Sequence, residues 1–266
     1  MPSKKHDISL FFPVYNDEET VELVVEKARK VLSEISNQYE IVIVNDGSPD
    51  QSGTIADALA KKYPDEIKVV HHTTNLGYGK ALQTGFAHAC RYEWICFTDG
   101  DDQYDIRELY HIAKLLDKYD MIISFRYSKA YSTLRMFISS VYNRILRFLF
   151  RSRYRDISSG LKLVKREVID DINITSSSPF VGAEITLKAM LKGYRIGEVG
   201  INTYPREFGV STSTSIPNIF GTIKDMLRVH REEFVNHPRD PFTFESSGKL
   251  KQQEKNKHRR EHSSQK

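Results

Sequence analysis

The chain has 266 residues, of which 39% are apolar, with 39 Lys and Arg against 35 Asp and Glu, enough for one sizeable core or at most two small domains. It has no run of about 18 apolar residues to span a bilayer, no apolar stretch near the N-terminus that reads as a signal peptide, and two cysteines, Cys90 and Cys96, that read as buried reduced thiols in a cytosolic setting. The charge is uneven, with "RSRYRD" (151–156) and the last nineteen residues basic, which suits an anionic substrate or surface; no aromatic–basic stripe points to nucleic acid.

In chain order, two periods alternate. "ISLFF" (8–12), "YEIVIVN" (39–45), "IKVVHH" (67–72), "WICFT" (94–98) and "MIISF" (121–125) read as buried parallel strands. Helical segments separate them: "DEETVELVVEKARKVLSEI", "GTIADALAKKY", "YGKALQTGFAHAC" and "DIRELYHIAKLLDKY". This alternation predicts an α/β fold with a mostly parallel sheet. Beyond residue 130, "LRMFISSVYNRILRFLF" (134–150) reads as a helix and "SGLKLVKREV" as a strand entering a short helix. "FVGAEITLKAMLKGY" is a helix, "RIGEVGINTY" a strand and "IPNIFGTIKDMLRVHREEF" a last helix. From about Asn236 the composition turns polar and basic, as in a disordered tail.

Ligands of open parallel sheets sit beyond the carboxyl ends of the strands. Four loops there should share one rim: "PVYNDEE", "NDGSPD", "TTNLGYGKA" and "TDGDDQYD". In the last, Asp99 and Asp101 are two apart and face the same way if the backbone is extended. Two hard oxygens with Gly100 between them suit Mg²⁺ or Mn²⁺, and Gln103 adds a neutral oxygen one step on. Asp105 reads as a helix cap and Asp102 as a solvated or outer carboxylate. Asp46, ending the second strand, is placed to accept from a base or ribose, or to shape its own turn. Gly77, Gly79 and Lys80 read as a flexible positive loop that can approach a diphosphate, although "GYGK" has neither P-loop nor dinucleotide spacing.

Eight pieces, "FFPVYNDEETV", "VNDGSPDQS", "NLGYGKALQTGF", "FTDGDDQYD", "SFRYSKA", "DISSGLKLVKREV", "GAEITLKAMLKGYRIGEV" and "REFGVSTST", occur in the order of a known family. The chain resembles the family 2 glycosyltransferases with a GT-A fold. Within them it is similar to the polyprenyl-phosphate sugar transferases, the group containing dolichol-phosphate mannose synthase. The resemblance covers about residues 7 to 230. It implies a Rossmann-like, mostly parallel central sheet flanked by helices, in one domain over 1–235 followed by a basic tail over 236–266. By resemblance, Pro13, Tyr15, Asp17 and Asp46 hold the nucleotide, and Arg206 lies in the loop that closes on the donor phosphates. Asp99, Asp101 and Gln103 hold the metal and the donor diphosphate. Arg126 contributes to the acceptor phosphate site, Ser159 and Gly160 line the acceptor side, and Glu184 lies near the sugar. Two positions depart from the family: Asn45 stands where many relatives have a first aspartate, and Asp17 where many have glutamate.

The implied reaction moves a hexose, mannose or glucose, from a nucleoside-diphosphate sugar to a polyprenyl phosphate, with inversion. A dication, Arg206 and Lys80 would neutralise the leaving diphosphate. A phosphate monoester, with a second pKa of about 6, needs cationic positioning rather than a base, and Arg126 offers a planar fork for it. Asp101, Arg126 and Glu184 are then the catalytic set, with Glu184 a sugar ligand or helper. The segment 131–155 places apolar residues beside Arg135, Arg144, Arg147, Arg151 and Arg153, as an interfacial helix requires; an ordinary core helix with a charged rim has the same pattern. The expected setting is peripheral attachment to the cytoplasmic face of a membrane, with room for a membrane-anchoring partner protein. Two other readings stay open: transfer to a saccharide hydroxyl, and a non-catalytic nucleotide-sugar-binding scaffold.

Overall fold

The computed structural model describes residues 5–127, 133–204 and 215–235, with the backbone alone at 133–138 and 235. Seven strands form one sheet: β1 (Ile8–Val14), β2 (Tyr39–Asn45), β3 (Ile67–His71), β4 (Trp94–Phe97), β5 (Met121–Arg126), β6 (Lys162–Lys165) and β7 (Ile196–Ile201). Their order is β3-β2-β1-β4-β6-β5-β7. The five strands expected to be parallel share one direction. β6 runs antiparallel to both its neighbours, β4 and β5, which makes the sheet mixed.

Alternation along the strands fills two cores. Phe11, Val42, Val44, Ile95 and Phe97 face one side, while Leu10, Phe12, Ile41, Ile43 and Trp94 face the other. Helices α1 (Val21–Ile35), α2 (Ser52–Lys62) and α4 (Leu109–Ile112) cover the second side. Helices α3 (Tyr78–His88), α5 (Thr133–Phe150), α6 (Arg166–Asp171), α7 (Val181–Leu191) and α8 (Ile216–His230) cover the first. Sheets buried on both faces give near-continuous apolar strands, which is why the strands were readable.

Three local differences from the expected elements have physical causes. β1 runs on to Val14, because its pairing with β4 ends at Phe11↔Phe97 and Pro13 has no ladder partner to deny there. The expected helix around α4 breaks into two 3-10 turns flanking one short α turn. Ile106, Leu109 and Ile112 are buried at spacings of three, which suits the tighter helix. Lastly, Cys96 is buried in β4, but Cys90, expected inside, is exposed; both are free thiols.

The chain steps from β1 outward to β2 and β3, then returns to β4 on the other side of β1. The carboxyl ends of β1 and β4 therefore form a topological switch point, where a crevice opens. Among the described residues, no helix is long and apolar enough to cross a membrane. Arg206 and the tail over 236–266 lie outside the described residues, as do the side chains at the start of the 131–155 segment.

Candidate active site

The four strand-end loops are bonded into one rim. Each contains one residue with positive φ: Asn16, Gly47, Gly77 and Asp102. The first two loops exchange bonds, Glu18 N–H to Asp50 at 3.2 Å and Gln51 N–H to Glu18 at 2.8 Å. The Asp17 N–H also donates to the Ser52 hydroxyl at 3.0 Å. Thr20 ties the first loop to the fourth, donating to the Gly100 carbonyl at 2.9 Å.

Asp46 ties the second loop to the third. Its two oxygens accept from the Leu76 and Gly77 N–H groups, both at 2.9 Å, and His72 Nδ1 lies 2.6 Å from Oδ1. The other ring nitrogen of His72 lies 2.9 Å from the Thr84 hydroxyl. Asp46 thus shapes the third loop itself, and His72 is its unforeseen partner. Gly77, at φ 89°, starts α3, a conformation that a side chain would strain. Gly79 and Lys80 lie in the first turn of α3, as the helical reading of "YGKALQTGFAHAC" has them, and not in a free phosphate loop. Gly79 presses against the Ser177 backbone, and the exposed Lys80 donates to Gln83 at 3.0 Å.

Asp99 occupies the centre. Tyr78, the first residue of α3, donates its hydroxyl to Asp99 Oδ1 at 2.8 Å. Burial pushes the Asp99 carboxyl up to about 7, and the Asp101 and Asp17 charges add to the rise, while Tyr78 and Arg126 oppose it. Asp101 Oδ1 accepts from the Gln103 N–H at 3.2 Å. Gln103 is buried, and its carbonyl accepts from Tyr204 N–H at 3.0 Å. Asp105 caps the turn after the loop by accepting from Arg107 N–H at 2.9 Å, and Asp102 pairs with Lys27 at 2.5 Å.

The donor set suits a hard dication. A desolvated Asp99 carboxyl, its proton affinity raised further by the Asp101 charge, gains from a positive charge beside it. Among the described residues no group of three or more His, Cys, Asp or Glu forms a protein-only cage. Mg²⁺ in particular binds through one or two carboxylates and leaves its other positions to substrate phosphates and water.

The segment named for the acceptor side lies directly against this cluster. A Cβ built on Gly160 would fall 2.3 Å from Asp99 Oδ2 and 2.8 Å from the Tyr104 ring. Only a residue without a side chain fits between them. Ser159 is buried, and its hydroxyl bonds that of Ser124 on β5. Arg126, at the end of β5, pairs with Asp156 through Nε at 2.8 Å and Nη2 at 2.7 Å. Its positive charge is felt at Asp99. Pro13 lies near the end of β1 with its carbonyl against Gly100, and Tyr15, just after β1, donates its N–H to Asp17 at 3.0 Å.

Glu184 is placed differently from the role carried over to it. It has no exposed surface. Its carboxylate pairs with Lys188 at 2.6 Å and accepts from Thr175 N–H at 3.1 Å and Ser176 N–H at 2.8 Å. These bonds hold the carboxyl below its usual range against the cost of burial. Glu184 anchors the 175–176 backbone, the stretch before the Ser177 that touches Gly79.

Sequence reasoning passed over Tyr78, His72, Asp156 and Lys162. Tyr78 sits inside "GYGK" and Asp156 opens "DISSG", so each was quoted without a role. Lys162 is fully buried in β6 and donates to the Ile157 and Gly182 carbonyls and the Thr186 hydroxyl. Burial drives its ammonium down to about 7, opposed by the Asp156 and Asp99 charges.

The mixed sheet with paired carboxylates at its switch point is the GT-A class of α/β protein. Glucosyl-3-phosphoglycerate synthase from Mycobacterium tuberculosis, crystallised with Mn²⁺, uridine diphosphate and phosphoglyceric acid, superposes with a TM-score of 0.66. It is 15% identical, over 86% of this chain and 78% of that one, so the likeness is one of fold. The sequence model of glycosyl transferase family 2 matches residues 9–172, and the chain belongs to that family. Polyprenol monophosphomannose synthase from Mycolicibacterium smegmatis is 30% identical over 213 residues, 76% of this chain and 79% of the relative. Dodecaprenyl-phosphate galacturonate synthase from Rhizobium johnstonii is 25% identical over 232 residues, 86% of this chain and 68% of the relative.

Proposed function

We propose that this glycosyltransferase moves a hexose from a nucleoside-diphosphate sugar to a polyprenyl phosphate, at the cytoplasmic face of a membrane. The observation that carries this reading is the contact of Gly160 with Asp99, beside the Arg126–Asp156 pair. It puts the segment named for the acceptor within one side chain's width of the carboxylate named for the donor.

Pro13, Tyr15, Asp17 and the loop braced by Asp46 hold the nucleotide in this reading. Asp99, Asp101 and Gln103 hold Mg²⁺ or Mn²⁺, which supplies positive charge for the leaving diphosphate. Arg126 offers a cationic fork to an acceptor phosphate, and Asp156 fixes the plane of that fork. A phosphate nucleophile is already mostly anionic at neutral pH and needs no base. A saccharide hydroxyl would need one, and the acid carried over for that side, Glu184, is sealed and committed to Lys188 and the 175–176 backbone. The two curated relatives, one naming polyprenol and one dodecaprenyl phosphate, support the lipid acceptor. Mannose is the favoured sugar and glucose the second.

The test is incorporation of label into a lipid extract from GDP-mannose and UDP-glucose, with short polyprenyl phosphates as acceptors, with and without Mn²⁺. Metal-dependent lipid-linked product that D99N and D101N both abolish is the expected result. Label passing only to saccharide acceptors, or to none from any donor, overturns the proposal.

A further inference from the structure

Helix α8 carries its large apolar residues outward. Its buried residues are Asp225, Met226 and Val229. Ile216 is 72% exposed, Phe220 69% and Leu227 55%, with Ile219 and Ile223 at 43% each. At 100° per residue these five fall within one stripe roughly 100° wide. Single exposed apolar residues are ordinary, but a continuous stripe of five marks a surface that meets something.

Exposed cations lie beside it, with the half-buried Glu232 and Glu233 in the turn that follows. Lys224 on α8 and Arg231 just after it are exposed. The end of α5 packs beside the end of α8, with the Phe150 ring 5.5 Å from His230 and 5.9 Å from Phe234. On α5, Phe148 is 84% exposed, and Arg144 and Arg147 are exposed near it in sequence. The residues after α8, 236–266, contain eight Lys and Arg against four Asp and Glu, which equals the entire formal net charge of +4. An interface with a second protein is depleted in charge at its core, and a basic extension adds nothing specific to it. An anionic leaflet satisfies both halves of the pattern: apolar side chains enter the headgroup–acyl boundary and cations rest on the headgroups.

We propose that the outward stripe of α8 is a bilayer-docking face whose partner is an anionic lipid surface. This deepens the transferase reading by naming the face that would bring the enzyme to a lipid acceptor, and its physical basis is independent of the transfer chemistry.

The test is co-sedimentation of the full chain with phosphatidylcholine vesicles, plain or containing about a third phosphatidylglycerol, next to F220S/I223S. The wild type should bind the anionic vesicles, and the double variant should lose about tenfold or more in partition, since each lost side chain removes buried apolar area. These positions are on the surface, so the melting temperature should hold; I216S/L227S serves in their place if it does not. Equal binding of variant and wild type overturns the proposal. So does a wild-type dimer in sedimentation equilibrium that the variant dissolves while neither form binds vesicles, which would assign the stripe to a second copy. Sugar transfer to a water-soluble short-chain prenyl phosphate is measured on the same proteins. Absent transfer with stripe-dependent vesicle binding overturns the transferase reading and supports the docking face. Intact transfer with unaltered vesicle binding in the variant overturns the docking face alone.

Discussion

A carboxyl group held at about 7 beside a second carboxylate stores repulsion that a cation can release. For Asp99 the sign of the effect on stability follows from linkage. Its folded pKa lies above the unfolded value of 3.8. Between about pH 4 and pH 7 the folded chain keeps a proton that the unfolded chain has lost, so this group's contribution to stability falls as pH rises through that window. A dication removes the penalty by pairing with the ionised form. Mn²⁺ should therefore raise the melting temperature more at pH 8 than at pH 6, and D99N should erase that difference; calorimetry at the two pH values checks it. Gly160 makes a second prediction at this scale. G160A must displace the Asp99 carboxylate or the loop that carries residue 160, because the added carbon would sit 2.3 Å from Oδ2. Supporting residues of metal sites typically cost about 10- to 100-fold when changed. A loss of that size in kcat, with the melting temperature lowered by no more than a few degrees, is expected from steady-state assays. The closeness of Asp99 and Asp101 was readable from their spacing. Tyr78 and Asp156 were not, because their roles come from partners 21 and 30 residues away, to which sequence spacing gives no clue.

At the scale of elements, α7 shows how a helix can hide a charge. Nearly every residue of "VGAEITLKAML" is buried, so the helix has no solvent face on which to put Glu184 and Lys188. The two are four apart and neutralise each other at 2.6 Å, and Lys188 also donates to the Asn173 carbonyl at 2.5 Å. The sequence shows an acid in the first turn of a helix, which reads equally as a dipole partner, a ligand or a base. Only the packing of both faces separates these. E184Q would leave Lys188 without its counter-charge while keeping an acceptor for the 175–176 backbone. The expected cost is about 3 kcal/mol, near the low end for a broken buried pair. Thermal melts should show it as a drop of roughly 5–10 °C for a chain of this size. If Glu184 only anchors the loop, kcat per folded molecule should fall by less than about tenfold, whereas losing a general base costs about 100-fold or more. The outward stripe of α8 was hidden for the opposite reason: its sequence pattern is that of any amphipathic helix, and nothing in the pattern says which face meets the core.

Across the whole molecule, the strands were legible, β6 at the start of "LKLVKREV" included, but the antiparallel direction of β6 was not. Four residues long like β4 but with lysines at both ends, β6 lacks the apolar run of its neighbours, and nothing in "KLVK" reveals its direction. Yet it closes the sheet between β4 and β5, and Lys162 reaches from it to the 157 carbonyl and to α7. That lysine also links the two halves of the site, since both Asp156 and Asp99 act on its charge. Its folded pKa of about 7 is far below the ordinary 10.5. Between those values the unfolded chain holds a proton that the folded chain has released, so this group's contribution to stability rises as pH climbs from about 7 toward 10. K162M removes the titration and leaves the Ile157 and Gly182 carbonyls without their donor, at about 1–3 kcal/mol for each buried group left unsatisfied. The metal-free variant should therefore melt lower than the wild type at pH 7. Its melting temperature should also lack the upward slope that the wild type shows between pH 7 and 9.5. Parallel slopes in the two proteins would mean that Lys162 keeps its proton throughout, with three donated hydrogen bonds and two carboxylates together outweighing burial. The cation behind the site would then be permanent, and the field that Asp99 feels would not change with pH from that side.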